Sequence, residues 1–245
     1  MDNEKLLIRR ISDISALADK YNTPRFSDFL DEAEKAEIKA AYMDNGGVWF
    51  GGYESACRRM VGFFPEWCEQ DLDEFPIAAV EIINKGNKNL THRDYLGTVM
   101  SLGLERKKIG DIAVSKNGAY IFVTKDMADL VSGIEKISNC GVRCSIVPLS
   151  ECVIAEAGFE LKNIVAASMR LDAVIGSLLK LSRKNAQDLV LGGKCSVNHI
   201  VTERTDRILS EGDVLSVRGF GRAEIVSVGS KTRSDRIHIT IKKFI

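Results

Sequence analysis

The stretch "RLDAVIGSLLKLSRKNAQDLVLGGKCSVN", residues 170–198, leaves the chain fewest choices. Leu171, Val174, Ile175, Leu178 and Leu179 recur at three- and four-residue spacing, which places them on one face of a helix. Ser182 then offers an N-cap hydroxyl to a second helix whose buried side is Ala186, Leu189 and Val190, and Gly192 and Gly193 stop it. The segments that follow, "KCSVN", "DVLSVRG", "RAEIVSV" and "RIHITIKK", switch to the period of two that marks short strands. Two helices and a small curled sheet make a C-terminal domain, expected over residues 163–245.

Charge separates this domain from the rest. The whole chain of 245 residues has a formal net charge of zero. From Ile164 to Ile245, however, there are 14 Lys and Arg against 8 Asp and Glu, leaving 20 against 26 upstream. A basic module on an acidic remainder suits one part meeting a polyanion while the other does something else. Arg183, Lys184 and Gln187 lie on the face of the second helix not used for packing, just past its N-cap, with Lys180 and Lys194 flanking in the sequence. Helix N–H groups, the positive helix end and two cationic side chains converging there would hold a phosphate.

Upstream, residues 74–162 alternate periods. "FPIAAVEIIN" reads as a buried strand, and "THRDYLGTVMSLGL" as a helix with Thr91 as N-cap. "GDIAVSKNGAYIFVT" is a hairpin turning at Asn117 and Gly118, "KDMADLVSGIEKI" a second helix and "VRCSIVPL" a last strand. The order βαββαβ is that of ferredoxin-like domains, RNA-recognition motifs (RRMs) among them. Residues 1–73 read as helical. "KLLIRRISDISALADK" spaces Leu7, Ile11, Ile14 and Leu17 along one face, "DEAEKAEIKAAYM" is a strong helix former ended by "DNGG", and a further helix is expected near Tyr53 after the strand-like "VWF". The fold class expected is α+β: a helical N-terminal region, an RRM-like middle domain and the basic C-terminal domain.

Several chemistries find no support. The six cysteines form no C-x-x-C pair and read as reduced, mostly buried thiols, so neither a metal nor a cofactor is expected. "MDNEKLLIRR" lacks the apolar core of a signal peptide, and no apolar run is long enough to span a bilayer, so a cytoplasmic chain without a membrane partner is expected. His92, Arg93 and Asp94 spell a kinase-like triplet, but Val99 stands where that loop needs Asn, and no glycine-rich nucleotide loop accompanies it. A helix-start role suits Asp94 better, with His92 and Arg93 hydrogen-bonding locally or meeting RNA. The three histidines, 92, 199 and 238, sit in separate regions, and no nucleophile–base pair is evident. An enzyme is therefore not expected. No heptad seam argues for obligate association, so a monomer is.

The residues also carry a resemblance. Arg170, Leu171, Asp172, Ser182, Arg183, Ala186, Gly193, Val197, Asn198, Gly212 and Asp213 fall where they do in the RNA-binding αL motif of ribosomal small-subunit protein S-four, many pseudouridine synthases and tyrosyl-tRNA synthetases. With "FSDFLDEAEKAEI", "FGGYESACRRM", "LTHRDYLGTVMSLGLERKKIGDI" and "SVRGFGRAEI", the chain resembles the YlmH-type bacterial RNA-binding proteins over nearly its whole length. The resemblance implies a non-enzymatic protein of the cell-division gene neighbourhood that meets the large ribosomal subunit during quality control of stalled peptidyl-tRNA. It also implies RNA contacts at Arg170, Ser182, Arg183, Lys184, Gln187, Lys194 and Asn198. His199 stands where many αL motifs have glycine.

At "SVRGFGRAEI", Gly219 and Gly221 let the backbone turn sharply between two strands, holding Arg218 and Arg222 a short distance apart. The arginines would straddle phosphates, with Phe220 either stacking on an unpaired base or filling the core. Arg106, Lys107 and Lys108 form a basic run that is a secondary candidate, with His92 and Arg93. Tyr120 and Phe122 occupy the strand position where RRMs stack bases, though core packing is the plainer reading. The leading expectation is a non-catalytic protein binding structured RNA, ribosomal and potentially tRNA, on the large subunit. The alternatives are an RNA-modifying or tRNA-processing enzyme whose αL module delivers substrate, and a cell-division adaptor.

Overall fold

Apolar periodicity builds the elements, and two compact units collect them, Met1–Ala155 and Glu156–Ile245. The computed structural model describes residues 2–42, 47–86, 89–154, 159–232 and 235–244. The "DNGG" helix stop lies at 44–47 and falls almost entirely outside them.

In the first unit, α1 (Asp2–Tyr21) and α2 (Glu32–Tyr42) form where expected. The buried stripe of α1 includes Ile11 and Ala18, whereas Leu17 is 41% exposed. Between and after these helices come β1 (Arg25–Phe26), β2 (Val48–Phe50) and β3 (Met60–Phe63), a three-stranded antiparallel sheet in the order β1-β3-β2. The helix expected near Tyr53 is instead a loop. Gly52 adopts φ +98°, and a side chain there would collide with Phe122, so the chain turns sharply and returns as β3. The N-terminal region is thus helices plus a small sheet.

The middle region gives β4 (Ile77–Asn84), α3 (His92–Ser101), β5 (Ile109–Ser115), β6 (Gly118–Thr124), α4 (Ala128–Ser132), β7 (Lys136–Ile137) and β8 (Cys140–Val147). The sheet order β5-β6-β4-β8, all antiparallel, is the ferredoxin-like arrangement, with β7 added at the edge. Thr91 caps α3 in a complete capping box with Asp94, which settles the role of that aspartate. The second helix is only five residues long, because the "GIEKI" end of the expected segment leaves it at Gly133 and supplies β7.

The two faces of this sheet have different covers. Tyr95 and Val99 of α3 and Val131 of α4 bury one face against Val80, Ile82, Ile121 and Val123. The other face, with Ile77, Ala79 and Phe122, is buried against Phe29, Met60 and Phe75. Tyr53 stacks on Phe122 with ring centres 5.0 Å apart. The residues just upstream therefore roof the surface on which RRMs hold bases. Phe122 is wholly buried, and Tyr120 donates its hydroxyl to Glu81 at 3.2 Å, so core packing is the role of this pair.

In the second unit a strand not foreseen, β9 (Phe159–Ala166), comes first and crosses the expected 162/163 boundary. It is followed by α5 (Leu171–Leu179), α6 (Arg183–Leu191), β10 (Cys195–Val197), β11 (Ile200–Val201), β12 (Val214–Val217), β13 (Gly221–Lys231) and β14 (Ile237–Phe244). The antiparallel sheet runs β11-β10-β12-β13-β14-β9, so β9 closes back beside β14. Leu171, Val174, Ile175, Ala186 and Val190 pack on Leu215, Ile225, Ile239 and Ile241, while Leu178, Leu179 and Leu189 are only half-buried at the rim. The six cysteines are all unbridged, and only Cys140 and Cys195 are buried.

Candidate nucleic-acid interface

Asp172 organises the start of the helical pair. It sits in the first turn of α5 with no exposed side-chain surface. Arg170 grips it with two donors, Nε to Oδ1 at 3.0 Å and Nη2 to Oδ2 at 3.1 Å. Gln187 Nε2 donates to Oδ2 at 2.9 Å, and Arg183 Nε stands 3.6 Å from the same oxygen. Burial alone would raise this carboxyl. The hydrogen bonds from Arg170 and Gln187 outweigh it and hold Asp172 below its ordinary value, so it is an anion that collects cationic and polar donors.

The chain downstream straps this corner. Leu171 N–H donates to Arg207 O at 2.8 Å, Asp172 N–H to Thr205 O at 3.2 Å, and Leu209 N–H to Met169 O at 2.8 Å. This lays the segment that carries Arg204 and Arg207 along residues 169–172, with Arg204 paired to Asp206 at 3.5 Å. That segment has no helical or strand period, so no sequence signal placed it there.

At the other end of α5, Lys180 takes a left-handed conformation (φ 54°) that turns the chain toward α6, with Leu181 N–H bonded to Gly176 O at 2.9 Å. Ser182 Oγ accepts from Asn185 N–H at 3.2 Å, the N-cap that the sequence indicates. Lys180 and Lys184 are exposed, and the Arg183 side chain keeps 72% of its surface in solvent. An anion approaching the start of α6 meets the positive end of the helix, with the exposed side chains of Arg183 and Lys184 on its first turn.

Lys194 does not flank this point. It follows the C-terminus of α6, about 13 Å along a nine-residue helix from Arg183. There its carbonyl accepts from Arg218 N–H at 2.9 Å, which pairs it with the glycine corner. In that corner Gly219 (φ 86°) and Gly221 (φ 98°) permit the turn, and Phe220, 43% exposed, is not in the core. Arg218 is exposed, whereas Arg222 lays its guanidinium over Phe244 at 4.4 Å.

Another expected contact, Asn198, is occupied internally. Asn198 Nδ2 donates to Asp213 at 2.7 Å and its Oδ1 accepts from Val214 N–H at 2.8 Å, so its amide joins β10 to β12. Asn198 and His199 both have positive φ (51° and 67°), the form of a tight two-residue hairpin turn in which glycine is commonest at the second place.

The secondary candidates belong to the first unit and are mostly committed there. Arg106 Nη1 donates to the carbonyls of Ile109 at 2.6 Å and Gly110 at 3.3 Å. Lys107 pairs with Glu105 at 2.8 Å, and Lys108 with Asp28 at 3.3 Å and Asp126 at 3.6 Å. His92 and Arg93 are exposed on the first turn of α3; partial desolvation and Arg106 hold His92 below its ordinary value. Close by, Asp111 accepts from Tyr53 Oη at 2.8 Å, Cys57 N–H at 2.6 Å and Arg58 N–H at 3.0 Å, while Arg58 reaches the carbonyls of Ile109 (3.0 Å) and Phe29 (3.1 Å). The segments "FSDFL", "FGGYESACRRM" and "ERKKIGD" thus meet as a clasp between the N-terminal part and the middle sheet. Among the described residues no three His, Cys, Asp or Glu side chains gather as a metal site, and no helix is long and apolar enough to cross a membrane.

Comparison with known proteins adds three findings. A family model described as a putative RNA-binding domain in YlmH matches residues 71–151. The ribosome-associated protein quality control protein P2 of Bacillus subtilis (strain 168) is 33% identical over 224 residues, covering 89% of this chain and 87% of that protein. A solved structure, the cell division protein ylmH from Streptococcus pneumoniae, is 26% identical with a TM-score of 0.47, over 62% of this chain and 91% of that one.

Proposed function

Because the chain belongs to the YlmH family of bacterial RNA-binding proteins, we propose that it docks on ribosomal RNA through its C-terminal unit, without catalysis, in ribosome-associated quality control. The large subunit carrying peptidyl-tRNA is the proposed platform, in the cytoplasm, with the protein acting as a monomer. In this reading the basic αL domain is the anchor, and residues 1–73 and 74–162 set its position. The name of the Bacillus subtilis relative supports the setting.

The observation that carries the reading is the corner built on Asp172. One buried carboxylate orients Arg170, Arg183 and Gln187 beside the N-terminus of α6, where Lys184 and the positive end of the helix stand open. RNA phosphates are neutralised there at little cost in ordering, since Arg170 is already fixed by its bidentate bond. The roofed face of the middle sheet leaves the exposed ends and edges of that domain for orientation and partner contacts.

Co-sedimentation with ribosomal subunits tests this. The parent protein should travel with free large subunits at low salt, and Arg183→Glu/Lys184→Glu should release it. If both proteins stay at the top of the gradient at every salt concentration, or if the double variant binds as the parent does, docking through this corner is refuted.

A further inference from the structure

The sheet of the second unit has a face turned away from α5 and α6. Ile237, Ile239 and Ile241 of β14 point toward the helices, so His238, Thr240, Lys242 and Phe244 alternate onto the opposite side. On β9 the same side holds Phe159, Leu161, Asn163 and Val165. The register sets Phe244 opposite Phe159 and Lys242 opposite Leu161. Across this row Lys242 Nζ lies 4.6 Å from the centre of the Phe159 ring and 5.4 Å from that of Phe244, and the Arg222 guanidinium lies 4.4 Å from Phe244. Phe159 is 50% exposed and Leu161 59%. Large apolar side chains held in solvent beside two cations are unusual for a surface that meets only water.

We propose that this outer face, with Phe159, Phe244, Arg222 and Lys242, is a second RNA-contacting surface that takes unpaired nucleotides, separate from the helix-terminus anchor on the other side of the sheet. Single-stranded RNA asks for two things, a flat π surface for its bases and countercharge for its phosphates, and this row supplies both within three adjacent strands. The Arg222 guanidinium extends the flat surface, because it stacks as rings do. A half-exposed cation over a phenyl ring is held more weakly than a stacked base, so a base can take the ring while the cation moves to its phosphate. Charge also favours RNA: in the register of β13 and β14 the row carries Arg222 and Lys242, with Glu224 paired opposite Lys242. The proposal rests on the RNA-binding reading, but not on the Asp172 corner.

The test is binding of two probes by the full chain: a uridine oligomer of about 12 nucleotides and a fully paired RNA of about 16 base pairs. Phe159→Ser should weaken oligomer binding about tenfold with its salt dependence unchanged, and Phe159→Tyr should bind as the parent. Lys242→Ala should lower the oligomer's salt slope by about 0.7. None of the three should alter duplex binding, which Arg183→Glu/Lys184→Glu should abolish. Oligomer binding within twofold of the parent for both Phe159→Ser and Lys242→Ala overturns the proposal. So does a parent that sediments as a dimer and is split by Phe159→Ser, which would make the face a contact between copies. A parent that binds duplex but not the oligomer removes this surface and leaves the anchor standing; one that binds neither removes both.

Discussion

Asp111 and Asp172 each gather several donors, one in each unit, yet they serve different ends. The partners of Asp111 are a tyrosine hydroxyl and two backbone N–H groups, all turned inward to hold the loop at 53–58 against the middle sheet. Those of Asp172 are the side chains of Arg170, Gln187 and Arg183, and Arg183 keeps its other side in solvent. A carboxylate that binds neutral local donors spends itself on closure. One that binds cations fixes them in place without hiding them, so the cations' remaining hydrogen-bonding groups stay available to a polyanion even though the carboxylate offsets part of their charge.

Substitution should separate the two. Asp111→Ala leaves three donors without their acceptor and should cost the first unit about 3 kcal/mol in urea unfolding, while RNA affinity of the folded protein is unchanged. A loss of RNA binding under native conditions would show that the clasp too is part of the interface.

Asp172→Asn should cost the second unit about 2 kcal/mol, less because Arg170 can turn to water, but it should also weaken RNA binding several-fold in protein that is still folded. Equal binding by Asp172→Asn and the parent would reduce this hub to a second clasp. The same carboxyl gives a pH signature. Its folded value lies below the ordinary one near 4, so its contribution is complete above that value and disappears as pH falls through the lower folded value. The acid loss of stability should accordingly be smaller in Asp172→Asn than in the parent.

The two caps are a smaller comparison. Ser182→Ala and Thr91→Ala should each cost about 1 kcal/mol of thermal stability, but only the former, at the anchor, should also lower RNA affinity. The smallest effect is expected at His199, where φ is 67°. His199→Gly should raise stability by about 0.5 kcal/mol by relieving a left-handed backbone, and a decrease would mean that the imidazole's own interactions outweigh that strain.

Much of this was legible in the sequence. The βαββαβ order, the Thr91 and Ser182 caps, the glycine corner and the exposed start of α6 all follow from signals that act over a few residues. The helix expected at Tyr53 failed because the ESACRRM segment has acceptable helix propensity, while what decides its shape is the close approach of Gly52 to Phe122 and the pull of Asp111, both far along the chain. β9 was missed since "FELKNIVA" has a strand's alternation only once β14 is known to lie beside it. Within the site, Arg183, Lys184 and Arg218 stand open as their sequence suggested, but Arg106, Lys108 and Asn198 have their polar groups taken by local partners.

The sequence by itself determined the period of each segment, its caps and turns, and the concentration of positive charge in the last third, since each depends on neighbours within one turn or one hairpin. Only the tertiary structure decided which cations remain open and which aromatic rings are covered. Phe122 is roofed by residues from the N-terminal part, and Phe159 and Phe244 are paired across neighbouring strands that come from opposite ends of the second unit. Burial and pairing of this kind are set by contacts between segments far apart in the chain, and no local pattern records them.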